Sequence, residues 1–204
     1  MQHSDPFNLI ITGVGGQGNL VASQVLGRAL LKKGYLVTVG ETYGLSQRGG
    51  AVTSHIRISK KERLGPRMPH GQAHAILGLE PVETLRVMPE YGNSRVVTIV
   101  NSRPVHPMGV IAGEQDYPDF ETLKKTLSDL SKTLYWVDAT DIAMELGNAI
   151  MANVVMMGAL AGAGVLPLST DEILDEIKLS LPESKWEVNR TAFTRGLEAV
   201  ATKQ

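Results

Sequence analysis

The spacing of apolar residues changes several times along the chain. Residues 7–12, FNLIIT, form a short β-rich apolar run that gives way to glycines. Behind the glycines, apolar positions 20, 21, 25, 26, 29 and 30 recur at helical spacing, and Gly34 reads as the stop of that helix. Residues 35–40, YLVTVG, predict a second strand, and residues 41–50, ETYGLSQRGG, a long loop with three glycines. Residues 51–59, AVTSHIRIS, alternate strictly, with Val52, Ser54, Ile56 and Ile58 on one face and Thr53, His55 and Arg57 on the other. A polar, proline-containing stretch over 60–71 separates this strand from another at 73–79. A short helix follows, with Pro81 in its first turn, and then a strand at 94–100. Residues 117–132 predict an amphipathic helix with Phe120, Leu123, Leu127 and Leu130 on one side, and residues 133–139 the last strand. Only helices come after it, roughly at 140–164, 170–180 and 184–201.

The opening order, strand, glycine loop, helix, strand, is that of a doubly wound sheet. The predicted fold is α/β: a Rossmann-like, mostly parallel sheet with helices on both faces and a helical C-terminal section. One domain spans 1–204, with the α/β part over about 5–139 and the helical part over about 140–204. Neither an internal repeat nor a low-complexity linker divides it.

Composition narrows the function. A net charge of −1 gives no general attraction to nucleic acid or anionic lipid, and 5% aromatics argue against stacking platforms for single strands. The chain has no cysteine, which excludes disulfides, thiolate metal sites and a cysteine nucleophile. The start, MQHSDPFNLI, lacks the basic and long apolar segments of a signal peptide. The long apolar region over 142–166 is interrupted by Glu145, Asn148 and Asn153, so it reads as buried helix rather than a membrane span. The expected compartment is the cytoplasm.

Gly13, Gly15 and Gly18 match G-x-G-x-x-G between a strand and a helix, with Gly16 and Gln17 inside the motif. Such a loop can bring a pyrophosphate onto backbone N–H groups at the positive end of a helix, and Glu41 stands where a ribose-binding acid is expected. It can equally serve only to make the turn compact. It is not a Walker A loop, because no G-K-[ST] follows. His70 and His74 are four apart, but Gly71 and the strand-like run after it spoil a helical metal pair, and no metal site is expected. His55 reads as a surface or interface histidine, and Asp138 and Asp141 as caps of the next helix. Asn148 and Asn153, inside an apolar helix, must find hydrogen-bond partners in backbone, ligand or another chain. Gln47, Arg48, Gly49 and Gly50 form a flexible setting around one cation, suited to a partner or a cofactor. No catalytic set emerges.

Residues 12–59, together with AHAILGLEPVETLR, NVVMMGALAGAGVLPL and NRTAFTRGLEA, resemble the small (beta) subunit of indolepyruvate:ferredoxin oxidoreductase. They are also similar to the gamma subunit or domain of 2-oxoacid:ferredoxin oxidoreductases. SQRGG looks like the indolepyruvate branch, whereas His74 stands where the family usually has an acidic residue. The resemblance implies oxidative decarboxylation of an aryl 2-oxoacid with coenzyme A, giving an acyl-CoA and carbon dioxide, with electrons passed to ferredoxin. It implies thiamine diphosphate and iron–sulfur clusters in a large partner subunit and none bound by this chain alone. Under it the glycine loop is open to three roles: lining a shared active site, approaching a coenzyme A phosphate, or packing on the large subunit. Two other readings stand beside it. One is an independent NAD- or FAD-dependent oxidoreductase resting on Gly13, Gly15, Gly18 and Glu41. The other is a non-catalytic binding module with a degenerate nucleotide fold.

Overall fold

In the computed structural model, residues 4–43, 50–106, 108–114 and 116–201 are described. The chain order is β1 (Phe7–Val14), α1 (Asn19–Lys32), β2 (Leu36–Tyr43), β3 (Ala51–Ser59), β4 (Ala75–Gly78), α2 (Pro81–Tyr91), β5 (Val97–Asn101), the single turn α3 (Met108–Ile111), α4 (Phe120–Asp129) and β6 (Thr133–Val137). It continues with α5 (Ala139–Glu145), a 3₁₀ turn (Ala149–Met151), α6 (Ala152–Gly162), α7 (Thr170–Leu179), a second 3₁₀ turn (Glu183–Lys185) and α8 (Trp186–Ala201).

The strands make one six-stranded sheet in the order β2-β3-β1-β4-β5-β6. β1, β4, β5 and β6 run parallel, joined by crossovers, with Leu9 opposite Ala75 and Ile99 opposite Tyr135. β3 is antiparallel to both neighbours, with Ile10 opposite His55 and Gly40 opposite His55 on its two sides. All eight residues of β1 are buried. A strand flanked on both edges and covered on both faces has no solvent side, hence its unbroken apolar run.

The order departs from the simple expectation in one respect. After β1 and α1, a doubly wound sheet sets β2 beside β1. Here β3 takes the place beside β1, and β2 lies outside it. The strict alternation of 51–59 does not distinguish an outer strand from an inner antiparallel one, because period 2 reports only the two faces. His55 is accordingly buried, edge-on to Tyr91, and not at the surface.

Helices cover both faces. On one, α1, α6, α7 and α8 pack over Leu9, Ile11, Ile56, Leu77, Ile99 and Val137. On the other, Val87, Met88 and Tyr91 of α2 and Leu127 of α4 pack over Ile10, Ile76, Val100 and Trp136. α4 buries Leu123 and Leu127, while Phe120 and Leu130 remain exposed at its ends. α6 and α8 approach to backbone contact: a Cβ on Gly158 would overlap the Phe193 carbonyl, and one on Gly196 the Val155 carbonyl. Those two glycines explain why an apolar helix as featureless as NVVMMGALAG packs in one register.

The predicted helix over 140–164 is in fact two helices. α5 ends before Gly147, and Asn148, in extended conformation, accepts at Oδ1 from the Ile150 N–H at 3.0 Å to start the 3₁₀ turn. Asn148 is thus a cap rather than a buried helix residue, as its local hydrogen bonding favours. Among the described residues no helix is long and apolar enough to cross a membrane.

Candidate functional site

The carboxyl ends of β1, β4, β5 and β6 open into a crevice of about 380 Å³. It lies where the chain's course reverses, with β3 and β2 to one side of β1 and β4 to β6 to the other. In an open α/β sheet this is where ligands settle, because the diverging connections leave a gap above the strand ends.

The floor is a run of hydrogen bonds across three strand ends. Gln17 folds back into the glycine loop: its Oε1 accepts from Val14 N–H at 2.7 Å and its Nε2 donates to the Leu79 carbonyl at 2.9 Å. Asn101, the last residue of β5, donates from Nδ2 to the same carbonyl at 3.1 Å and to Thr140 Oγ1 at 2.9 Å. Its Oδ1 accepts the Thr140 N–H at 3.3 Å. Asn101 therefore supplies the bond at the start of α5 that Asp138 was expected to give. Asp138 occupies the N-cap position but makes no capping bond.

One wall is the glycine loop. Gly18, the N-cap of α1, has φ +90°, and a Cβ there would strike the Asn153 side chain. Only glycine serves at that point, for backbone and for space. The opposite wall is the start of α6, with Ala149, Ile150, Ala152, Asn153 and Met156. Asn153 is about nine-tenths buried and faces the crevice without a hydrogen bond among the described residues. The third wall is the connector after β5, with Arg103, Pro104 and Val105. Among the described lining Arg103 is the one cation, and it lies 3.7 Å from Asp141, both ends solvent-exposed. Among the described residues no carboxylate lines the crevice, and no side chain caps the start of α1 or of α6 beside it. Polarity and helix dipoles together favour an anionic ligand with apolar parts.

Glu80 anchors the connector from beneath. Fully buried at the N-cap of α2, it accepts from Glu83 N–H at 2.7 Å through one oxygen. Through the other it accepts from Val105 N–H at 3.4 Å and from the Tyr117 hydroxyl. Burial, then the Glu80 carboxylate, pushes the Tyr117 phenol far above its usual range, so it stays a donor. Burial also raises Glu83, with Arg86 opposing.

The candidates from sequence are distributed as follows. Gly16 and Gln17 line the crevice, and Gly13, Gly15 and Gly18 build the loop around it. Gly15 N–H donates to the Gly50 carbonyl at 2.9 Å, which joins the end of the second glycine-rich segment to the first. Gln47, Arg48 and Gly49 lie outside the described residues. Glu41 sits two residues before the end of β2, opposite Ser54, with Ser23 Oγ at 3.4 Å. With β3 interposed, it stands one strand further from the glycine loop than the ribose acid of a dinucleotide fold. His70 and His74 have separate partners: His70 faces Glu90 at 3.6 Å, and His74 Nδ1 accepts from Asn8 N–H at 3.1 Å. Among the described residues no group of three His, Asp or Glu could hold a metal. Asn101, Glu80 and Arg103 escaped the sequence reading. The one signal for Asn101 was a polar residue ending an apolar strand just before a turn.

Residues 8–199 match the family described as pyruvate ferredoxin/flavodoxin oxidoreductase. Indolepyruvate oxidoreductase subunit IorB of Thermococcus kodakarensis is 40% identical over 194 residues, 95% of each chain. The crystal structure of keto/oxoacid ferredoxin oxidoreductase gamma subunit from Geobacter sulfurreducens superposes with a TM-score of 0.69 at 23% identity, over 96% of this chain and 99% of that one. 2-oxoglutarate:ferredoxin oxidoreductase from Magnetococcus marinus superposes with a TM-score of 0.76 at 15% identity, over 99% of this chain but 32% of that one. The homologues are subunits of 2-oxoacid oxidoreductases, a set that does not favour an independent nicotinamide or flavin enzyme. With an α/β sheet whose glycine loop, crevice and C-terminal helices all fall within the matched span, the chain belongs to the pyruvate ferredoxin/flavodoxin oxidoreductase family.

Proposed function

We propose that this chain is the small subunit of an aryl 2-oxoacid:ferredoxin oxidoreductase, with indolepyruvate as the favoured substrate, and that its crevice receives a phosphate-bearing part of coenzyme A. The 40% identity to an indolepyruvate oxidoreductase subunit supports the first half. The observation that carries the second is the crevice itself: free of carboxylates among its described lining, bordered by two helix starts and Arg103, and holding the amide of Asn153, which has no hydrogen-bond partner among the described residues. Thiamine diphosphate would supply the carbanion chemistry and iron–sulfur clusters the electron path, both in the large subunit. With no cysteine, this chain offers a cluster no thiolate. Exposed Val105 and Ile150 at the crevice mouth suit burial against that subunit.

The test is steady-state kinetics of the complex reconstituted with the large subunit. Asn153→Ala and Arg103→Ala should each raise KM for coenzyme A about tenfold, as loss of a hydrogen bond to a charged group does, and leave KM for indolepyruvate unchanged. Unchanged coenzyme A kinetics in both variants would remove the crevice from the reading. Absence of any 2-oxoacid oxidation by the complex would remove the subunit assignment.

A further inference from the structure

β2 closes one side of the sheet, and among the described residues no strand lies against its outer edge. Beyond its ladder with β3, no backbone group of residues 36–43 makes a backbone hydrogen bond among the described residues. None of residues 36–42 is buried, in contrast to the whole of β1. Soluble proteins commonly blunt such an edge with lysine, proline, a bulge or shortness. β2 has none of these: LVTVGETY is eight residues long, its register with β3 is unbroken, and its one charge is Glu41.

The flank of this edge is apolar. α1 runs antiparallel to β2, as Ser23 against Glu41 and Gly27 beside Val39 show. Leu20 and Leu31 lie along the same line of the helix as Gly27, and with Val39 they are exposed by 43%, 56% and 39%. Charge is divided between the two ends. At the start of β2 stand the exposed Lys60, over the Tyr35 ring at 4.8 Å, and the exposed Lys61. Near its end stands Glu41.

We propose that β2 is the seam between two copies of this chain, paired antiparallel about a two-fold axis so that two sheets become one. Antiparallel pairing is the direction that brings Lys60 and Lys61 to Glu41, with Asp5 and Glu62 also standing at the lysine end. Antiparallel pairing sets the lysine end of one copy beside the Glu41 end of the other, and the Leu31 end beside the Leu20 end. A parallel arrangement sets lysines against lysines, which like-charge repulsion opposes. The contact is isologous and closed, so it stops at two copies. It lies across the sheet from β6 and is independent of the crevice chemistry.

The experiment is sedimentation equilibrium of the full chain from about 1 to 100 µM, with amide hydrogen exchange read over residues 36–43. The expected result is a dimer whose β2 amides gain protection as concentration rises. Val39→Lys, on an exposed position, should weaken self-association at least about tenfold with little change in monomer stability. Lys60→Glu should weaken it by a smaller factor. A chain that stays monomeric over the range overturns the proposal, as does a dimer indifferent to Val39→Lys. Protection of β2 that appears only when the large subunit is added also overturns it and assigns the edge to that partner.

Discussion

The two parts of this sheet differ in how much each strand depends on its surroundings. β1, β4, β5 and β6 run parallel beneath helices on both faces, and every residue of β1 and β4 is buried. β2 and β3 form an antiparallel pair in which β3 is largely enclosed and none of residues 36–42 of β2 is buried. The parallel part needs crossovers, and their starts converge on the crevice, where Gln17, Asn101 and Thr140 join the strand ends. The antiparallel part needs only a turn, so its strand ends carry no helix start to shape a pocket. A glycine loop between a strand and a helix is thus compatible with two different neighbourhoods, and the strand that follows decides which acid comes near it.

The contrast is broken most directly in the core. Leu77, fully buried on β4, should lose about 2–5 kcal/mol of stability on substitution by alanine, through lost burial and the cavity left behind. Val39→Ala on β2 should cost under about 1 kcal/mol, because that side chain already meets water. Urea denaturation of both variants checks this, and equal costs would erase the distinction between the two parts.

A second pair sharpens the comparison at polar positions. Asn101→Ala leaves the Thr140 N–H without its acceptor and should cost about 1–3 kcal/mol. Ser54, on β3, is buried with a hydroxyl that has no partner among the described residues. Ser54→Ala should therefore stay within about 0.5 kcal/mol of the parent or stabilise, since it removes an unsatisfied group. Thermal melting of the two single variants decides it.

The smallest expected effect is on pH. Burial, then Arg67, holds His55 below its usual value, with Glu90 opposing. The unfolded chain then binds a proton more readily than the folded one, and stability falls as pH drops below about 6.5, flattening once His55 is charged in both states. The raised carboxyl of Glu83 works in the opposite sense, favouring the fold as pH falls toward the carboxylate range. Comparing the parent with His55→Phe between pH 8 and 5 isolates the histidine: the variant should lose part of the decline that begins near pH 6.5 and keep the part due to His74, which burial also holds low. An unchanged profile would mean that His55 takes up its proton equally readily in the folded and the unfolded chain.

Much of this protein was legible along the chain, because most of its elements carry their own local signal. All six strands and most helices follow from apolar period, and the stop at Gly34 and the start at Ser169–Thr170 follow from local backbone and capping chemistry, which neighbours in sequence suffice to create. The glycine motif and the Gln47–Gly50 segment were likewise visible as composition, and residue likeness over nearly the whole chain was enough to point to the family. Tertiary structure alone decided what lies beside what. Which strand flanks β1 depends on the competition of whole strands for one edge, and period 2 is the same for either answer. That choice buried His55 and set Glu41 a strand away from the loop. It also left β2 as an open edge. The bond from Gln17 to Leu79 and the meeting of Leu79, Asn101 and Thr140 each join residues far apart in sequence. Contacts of that kind draw their energy from burial and from hydrogen bonds that exist only once the chain has closed on itself, and no local pattern encodes them.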